Sequence, residues 1–229
     1  MKLAIAFLPL AGGVIGGAVW GWQILCRICG FSAVLFAVVA VALPVFITGG
    51  IHLDGFCDTM DALASRQGRE RRLEILKDPH AGAFALIRLS VYILTSFGVL
   101  YELFTRGYDA GIGFSFILSR CLAAWSATTM PNARKGGMLA AFTEKADRRV
   151  VGLLLALQFT AGLAGWLFFA FPYGIAGFAL CLPATLWYRG MAMKHFGGVT
   201  GDTTGYYLQT LELTLLAGLL LGGVIGEWL

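Results

Sequence analysis

The chain is 229 residues long, 58% hydrophobic and only 13% charged, with a formal net charge of +4. A soluble domain carries about 25% charged residues, so this composition, with a mean hydropathy of +0.77, excludes an ordinary soluble globule and predicts an integral membrane protein. Membrane lipid is then a partner by default, and no nucleic-acid partner is expected.

In chain order, no residue from Leu3 to Cys26 is charged, which predicts a first span over roughly 3–25. The run is longer than a signal peptide's apolar region and no small-residue cleavage site with a polar flank follows it, so it reads as a retained helix. A second uncharged stretch, Ile28–Leu53, predicts a span over roughly 30–52. The largest polar excursion, 54–82, follows. Within it Arg69–Asp78 (RERRLEILKD) reads as a short amphipathic surface helix, with Leu73 and Leu76 toward the membrane and Pro79 ending it. Ala81–Tyr101 contains one charge, Arg88, and predicts a span over 83–103; Ala110–Ala133 contains Arg120 and predicts 111–131. A basic connection, Asn132–Arg149, precedes the uncharged run Val150–Tyr188. A break at Phe171-Pro172-Tyr173-Gly174 divides that run into spans over 150–170 and 174–193. The glycine-rich Gly197–Gly205 leads into a last span over 206–226, which contains Glu212. About 20 apolar residues cross a bilayer as a helix. The expected fold class is therefore all-α, a polytopic transmembrane bundle of about seven spans with one short cytoplasmic amphipathic helix. It forms a single membrane domain over 1–229, with 54–82 as its main catalytic connection.

Lysine and arginine set the orientation. The N-terminus and the connections around 54–82, 132–149 and 188–205 carry Lys2, Arg66, Arg69, Arg71, Arg72, Lys77, Arg134, Lys135, Lys145, Arg148, Arg149, Arg189 and Lys194; the opposite side has Arg27 and Arg106. The basic side is expected to face the cytoplasm, in a multi-pass protein of the cell's inner membrane. All three histidines and most of the acidic residues share that side, so the chemistry is expected there. The five cysteines read as packing residues: Cys26-x-x-Cys29 lacks the second half of a four-ligand site.

Asp54, Asp58 and Asp61 are spaced by four and three. On an α-helix that places them on one face over two turns. Three carboxylates so close repel one another unless a cation lies between them, and Mg²⁺ favours carboxylate and phosphate oxygens together. The spacing suits one or two divalent ions held against a diphosphate; the alternative is an acidic first turn favoured by the helix dipole. Glu74, Lys77 and Asp78 repeat the i, i+3, i+4 pattern, either as part of this site or as a surface ion pair. Gly197–Gly205 offers backbone N–H groups, Gly201 among them, as a phosphate nest with Asp202 beside it, or else simply a connection with Asp202 capping the last span. Arg120 and Glu212 lie inside predicted spans, where a charge faces a cavity or a partner; Arg120 either neutralises phosphate or pairs with an acid. His52 flanks the acidic site.

These residues resemble one family. T-G-G-I-H-L-D-G-F-C-D-T-M-D-A-L (Thr48–Leu63) is similar to the signature of the cobalamin synthase (adenosylcobinamide-GDP ribazoletransferase) family, as is L-E-I-L-K-D-P-H-A-G (Leu73–Gly82). The resemblance continues through Ser119-Arg120, Ala133-Arg134, G-G-V-T-G-D-T-T-G and Glu212, and covers nearly the whole chain. Where the family tends to have an acid three residues before Glu212, this chain has Gln209. The resemblance implies a polytopic membrane enzyme that joins two small molecules, adenosylcobinamide-GDP and α-ribazole or its 5′-phosphate, releasing GMP with Mg²⁺ as cofactor. It implies Asp54, Asp58, Asp61, Asp78 and Asp202 as metal ligands. Asp58, Asp61, Lys77 and His52 are the expected catalytic groups, with Asp61 the preferred general base. Arg120, Arg134, Gly201 and Glu212 would bind substrate or phosphate. A homo-oligomer is compatible with all of this.

Two rivals make different predictions. A CDP-alcohol phosphotransferase would carry D-G-x-x-A-R followed by G-x-x-x-D-x-x-x-D, and neither is present. A cation- or proton-coupled transporter would spread its acids through the spans, whereas here they gather at one face.

Overall fold

The computed structural model describes residues 3–228 except 135 and 145, and all of their side chains but that of Met138. Lys2, Lys135 and Lys145, counted above toward the basic side, lie outside the described residues. The described residues form ten α-helices: α1 (Leu8–Cys29), α2 (Ala33–Thr48), α3 (Ile51–Ala64), α4 (Arg69–Ile75), α5 (Ala83–Arg106), α6 (Ile112–Thr129), α7 (Met138–Thr143), α8 (Arg148–Ala170), α9 (Gly174–His195) and α10 (Gly201–Gly226). No strand is present among them; Asn132 and Val199 make one isolated parallel bridge.

The polytopic helical bundle is as the apolar runs require, but the spans are fewer. Five helices are long and apolar enough to cross a bilayer: α1 and α6 (each with the 3₁₀ turn before it), α5, α8 and α10. The second expected span does not run straight to residue 52. Gly49 and Gly50 both adopt left-handed backbone (φ 65° and 78°), and the Gly50 N–H bonds back to the Val45 carbonyl. This glycine-based helix stop turns α3 by 95° from α2, so the two make at most one broken span. The sixth expected span, α9, is a full 22-residue helix, but Trp187, Tyr188 and Arg189 dilute its apolar character. The last helix starts earlier than expected, at Gly201, because Thr200 and Thr203 cap each other reciprocally.

Association in lipid relies on close packing rather than on a hydrophobic driving force. Helices α1 and α6 touch where a Cβ on Gly16 would stand 2.3 Å from the Gly113 carbonyl oxygen. The most enclosed element is α10, which buries Tyr207, Leu208, Leu211, Leu215 and Leu219 against α3, α6 and α9. Large apolar side chains such as Val14, Phe46, Leu94, Leu153 and Phe168 remain exposed on the outer surface, where acyl chains replace water.

Polar side chains separate to the two ends. At one end Arg27 pairs with Asp109, and Arg106 with Glu102 and Glu227. At the other, α3, α4, the 131–137 segment and the 195–202 turn come together. The surface helix there is shorter than expected: α4 stops at Ile75, and Leu76 caps it, buried in the core rather than facing the membrane.

Candidate active site

Helix α3 carries the acidic face, and its position is fixed by glycine. Gly55 lies against the start of α10 so closely that a Cβ would stand 2.8 Å from the Asp202 Cα and carbonyl oxygen. Gly205 meets α3 from the other side, 3.1 Å from the His52 carbonyl by the same measure. This contact brings an acid from α10 to those of α3. Half-buried Asp58 feels Asp54, Asp202 and Asp61 as like charges and Arg134 as the compensating cation. Asp202 sits in the first turn of α10, 3.6 Å from Arg134 and 3.5 Å from the Thr200 hydroxyl. Arg134 is held in turn by donating to the Leu73 carbonyl at 2.9 Å. Its Nε is buried without a partner among the described residues, as is Asn132 Oδ1. Both residues line a small cavity of about 100 Å³ with Gly136, Gly137, Thr200 and Asp202.

Asp61 behaves differently from the rest of its face. Its two oxygens accept the backbone N–H groups of Gly82 and Ala85, the N-cap and third residue of α5. Gly82 has no side chain to cap the helix, so Asp61 supplies the cap from α3. An asparagine has only one acceptor oxygen for these two donors. Asp61→Asn is therefore expected to cost about 1 kcal/mol, a drop of roughly 2–4 °C in unfolding midpoint for a chain of this size. Gly82→Ala acts on the same contact, since its Cβ would stand 2.8 Å from both Asp61 oxygens; thermal unfolding in detergent checks both.

The other expected residues divide. Arg120 and Glu212 are 1% and 4% exposed and form an ion pair deep in the bundle. Arg120 also donates to the Phe116 carbonyl at 3.0 Å, and Ser119 to Glu212 at 3.4 Å. Of the two readings for Arg120, pairing with an acid is the one realised. Glu212 is ten residues beyond Asp202, about 15 Å along α10, so this pair does not join the acids. Lys77 and Asp78 are exposed in the turn after α4. Asp78 bonds within that turn to the His80 N–H and imidazole, which hold its carboxyl below the usual range. Glu74 pairs with Arg71 instead of lying beside Asp78, because α4 ends before the i+4 contact forms. Gly201 is the first residue of α10, and His52 packs in the first turn of α3.

Sequence reasoning missed the clamp that holds α4. Arg69 lies directly over Gly197, where a Cβ would meet its guanidinium, and Arg72 approaches His195 Nδ1 at 2.6 Å. An arginine has only donors, so Nδ1 must accept and the imidazole is neutral. Burial, then the charges of Arg72 and Lys194, push His195 below its ordinary 6.5. The folded state thus resists a proton that the unfolded chain binds. The contact contributes fully above pH 6.5 and is lost progressively as pH falls toward the lower folded value. The unfolding midpoint of the wild type is expected to fall more between pH about 7.5 and about 5.5 than that of His195→Asn. No short-range signal foretells this clamp, since its partners are 123 residues apart.

Among the described residues no three His, Cys, Asp or Glu side chains converge on one point as they stand. Mg²⁺ does not require that. It is held by one or two carboxylates together with water and substrate phosphate, and the hard-oxygen set of Asp54, Asp58 and Asp202 beside a single arginine fits such an ion.

Residues 1–220 match the sequence model of the family described as cobalamin-5-phosphate synthase. The chain is 38% identical over 233 residues to the adenosylcobinamide-GDP ribazoletransferase of Lachnoclostridium phytofermentans, covering 100% of this chain and 89% of that one. It is 34% identical to the protein of that name from Pseudomonas entomophila, over 96% of this chain and 88% of that one. A third, from Pseudomonas putida strain W619, is 35% identical over the same shares. No solved structure matches. With nearly its whole length matched, and with the quoted motifs placed where α3 and α10 meet, the chain belongs to the cobalamin-5-phosphate synthase family.

Proposed function

We propose that this chain is an adenosylcobinamide-GDP ribazoletransferase, joining adenosylcobinamide-GDP to α-ribazole or its 5′-phosphate in cobalamin synthesis. The observation that carries the reading is the contact of Gly55 with Asp202, which gathers carboxylates from two helices beside one arginine. A hydroxyl of the ribazole forms the new O–P bond at the corrinoid-side phosphorus. The diphosphate bridge breaks, and GMP leaves with the bridging oxygen. Such transfer is mainly positioning and charge neutralisation. Asp54, Asp58 and Asp202 would hold Mg²⁺, which when bound offsets the charge of the diphosphate. Arg134 faces the same phosphates, and Asp58, surrounded by like charges, is the group best suited to take the hydroxyl proton. Asp61 fixes the start of α5 and supports the 54–82 connection from below. The strong basic bias of this end supports a reaction on the cytoplasmic face of the inner membrane, in one membrane domain.

The test is the purified protein in detergent with Mg²⁺, adenosylcobinamide-GDP and α-ribazole. GMP and a cobalamin product are expected in equal amounts, and failure to form either overturns the reading.

A further inference from the structure

A crevice of about 270 Å³ opens between α2, α5 and α10, closed behind by Phe116 of α6. Its walls are apolar, with Val41, Val45, Phe46, Ile93 and Leu100 among them. Its floor is not: Tyr92, Ser96, Gln209 and Glu212 all line it. Ser96 is 6% exposed, and its hydroxyl lies beside that of Tyr92 but makes no well-formed hydrogen bond among the described residues. This is unusual within the chain, where Ser90, Thr95, Thr185, Thr210 and Thr214 all donate to the carbonyl four residues back. The Tyr92 hydroxyl, one turn before Ser96, donates to Gln209 Oε1 instead. Gln209 is likewise 6% exposed, and its amide NH₂ has no partner among the described residues. Reversing the amide would change which end faces Tyr92 but would still leave the other end unpaired. A buried polar group without a partner costs about 1–3 kcal/mol, and no lipid acyl chain can satisfy it. An apolar slot with two unused polar groups on its floor instead fits a flat aromatic ring bearing one acceptor nitrogen.

The slot adjoins the acids. Leu53, which lines it, directly precedes Asp54 on α3. Gln209 lies seven residues beyond Asp202, about 10 Å along α10. Resting on the ribazoletransferase reading, we propose that this crevice binds the benzimidazole base of the nucleoside substrate, with Ser96 and Gln209 reading its ring nitrogen while the ribose extends toward Asp54 and Asp58.

The experiment uses the full chain in lipid nanodiscs. Ser96→Phe fills the slot and Gln209→Leu removes its amide. Each is expected to raise KM for α-ribazole at least about tenfold, with KM for adenosylcobinamide-GDP moving by less than about twofold. Ser96→Ala adds no bulk, and is expected to raise the α-ribazole KM severalfold even if Ser96→Phe does not fold. Free benzimidazole is expected to bind the wild type in equilibrium dialysis, and indole, which lacks the acceptor nitrogen, at least about tenfold more weakly. An unchanged α-ribazole KM in the folded variants, an equal rise for both substrates, or equal binding of benzimidazole and indole overturns the proposal. So does an acyl lipid that co-purifies with wild type and is lost from Ser96→Phe while the α-ribazole KM stays put. Dialysis separates the two readings: a wild type that makes no GMP defeats the transferase assignment, while selective benzimidazole binding still decides the crevice.

Discussion

Asp58→Asn is expected to lower transfer by at least about 100-fold while leaving the protein as stable as wild type, or more so. The opposite signs come from one fact. Asp58 stands half-buried among Asp54, Asp202 and Asp61, with Arg134 as the nearby cation. Without a bound ion, removing its charge relieves repulsion, which is the usual price of a functional carboxylate cluster. With substrate phosphate present, the same change removes a hard ligand and the group best placed to accept a proton. Parallel measurement of GMP release and thermal unfolding decides the matter. A variant that loses activity only because it unfolds would deny Asp58 this role, and one that keeps full activity would remove it from the site. Asp61→Asn is the contrasting control: its main effect is on the cap of α5, so it should lose stability where Asp58→Asn does not.

The second large effect lies away from the chemistry. Replacing Arg120 by leucine, or Glu212 by leucine, leaves one charge alone in a site where both partners are almost wholly enclosed. Breaking such a pair costs about 3–5 kcal/mol, which at roughly 2–4 °C per kcal/mol lowers the unfolding midpoint on the order of 10 °C. Replacing both together by apolar residues of similar volume is expected to recover most of that loss, because an isosteric apolar pair avoids the desolvation of two ions. The single variants and the double, compared by thermal unfolding in one detergent, form a cycle. A double variant no more stable than either single would show that the pair is not an isolated unit.

The parts of this molecule legible in the sequence are those set by local rules. Apolar runs with at most one charge point to α1, α5, α6, α8 and α10, and the four-and-three spacing of Asp54, Asp58 and Asp61 requires the helix that α3 is. The turn between α2 and α3 is masked in the sequence because Gly49 and Gly50 sit inside a run whose hydropathy does not change, although two adjacent glycines carry the signal. The start of α10 looks like a loop in the sequence because its glycines mask the Thr200–Thr203 cap. Asp202 joins the α3 acids in the sequence only through the family resemblance, and the choice of Glu212 as the partner of Arg120 and the use of Asp61 as a helix cap depend on contacts between distant segments. Spacing along the chain fixes which residues share a helix face, but not which helix lies opposite.

The bend after Thr48 has a further consequence. Sixteen residues of α2 rise about 24 Å, less than the roughly 30 Å of hydrocarbon in an ordinary bilayer. The mismatch must be met by local thinning of the membrane or by sinking the helix that follows. Since α3 turns off at nearly a right angle and is fastened to α10 through Gly55 and Gly205, its carboxylates keep one depth in the bundle and the lipid must adjust to them. A bilayer thinned at this corner lets water reach acids that the protein itself holds at constant depth.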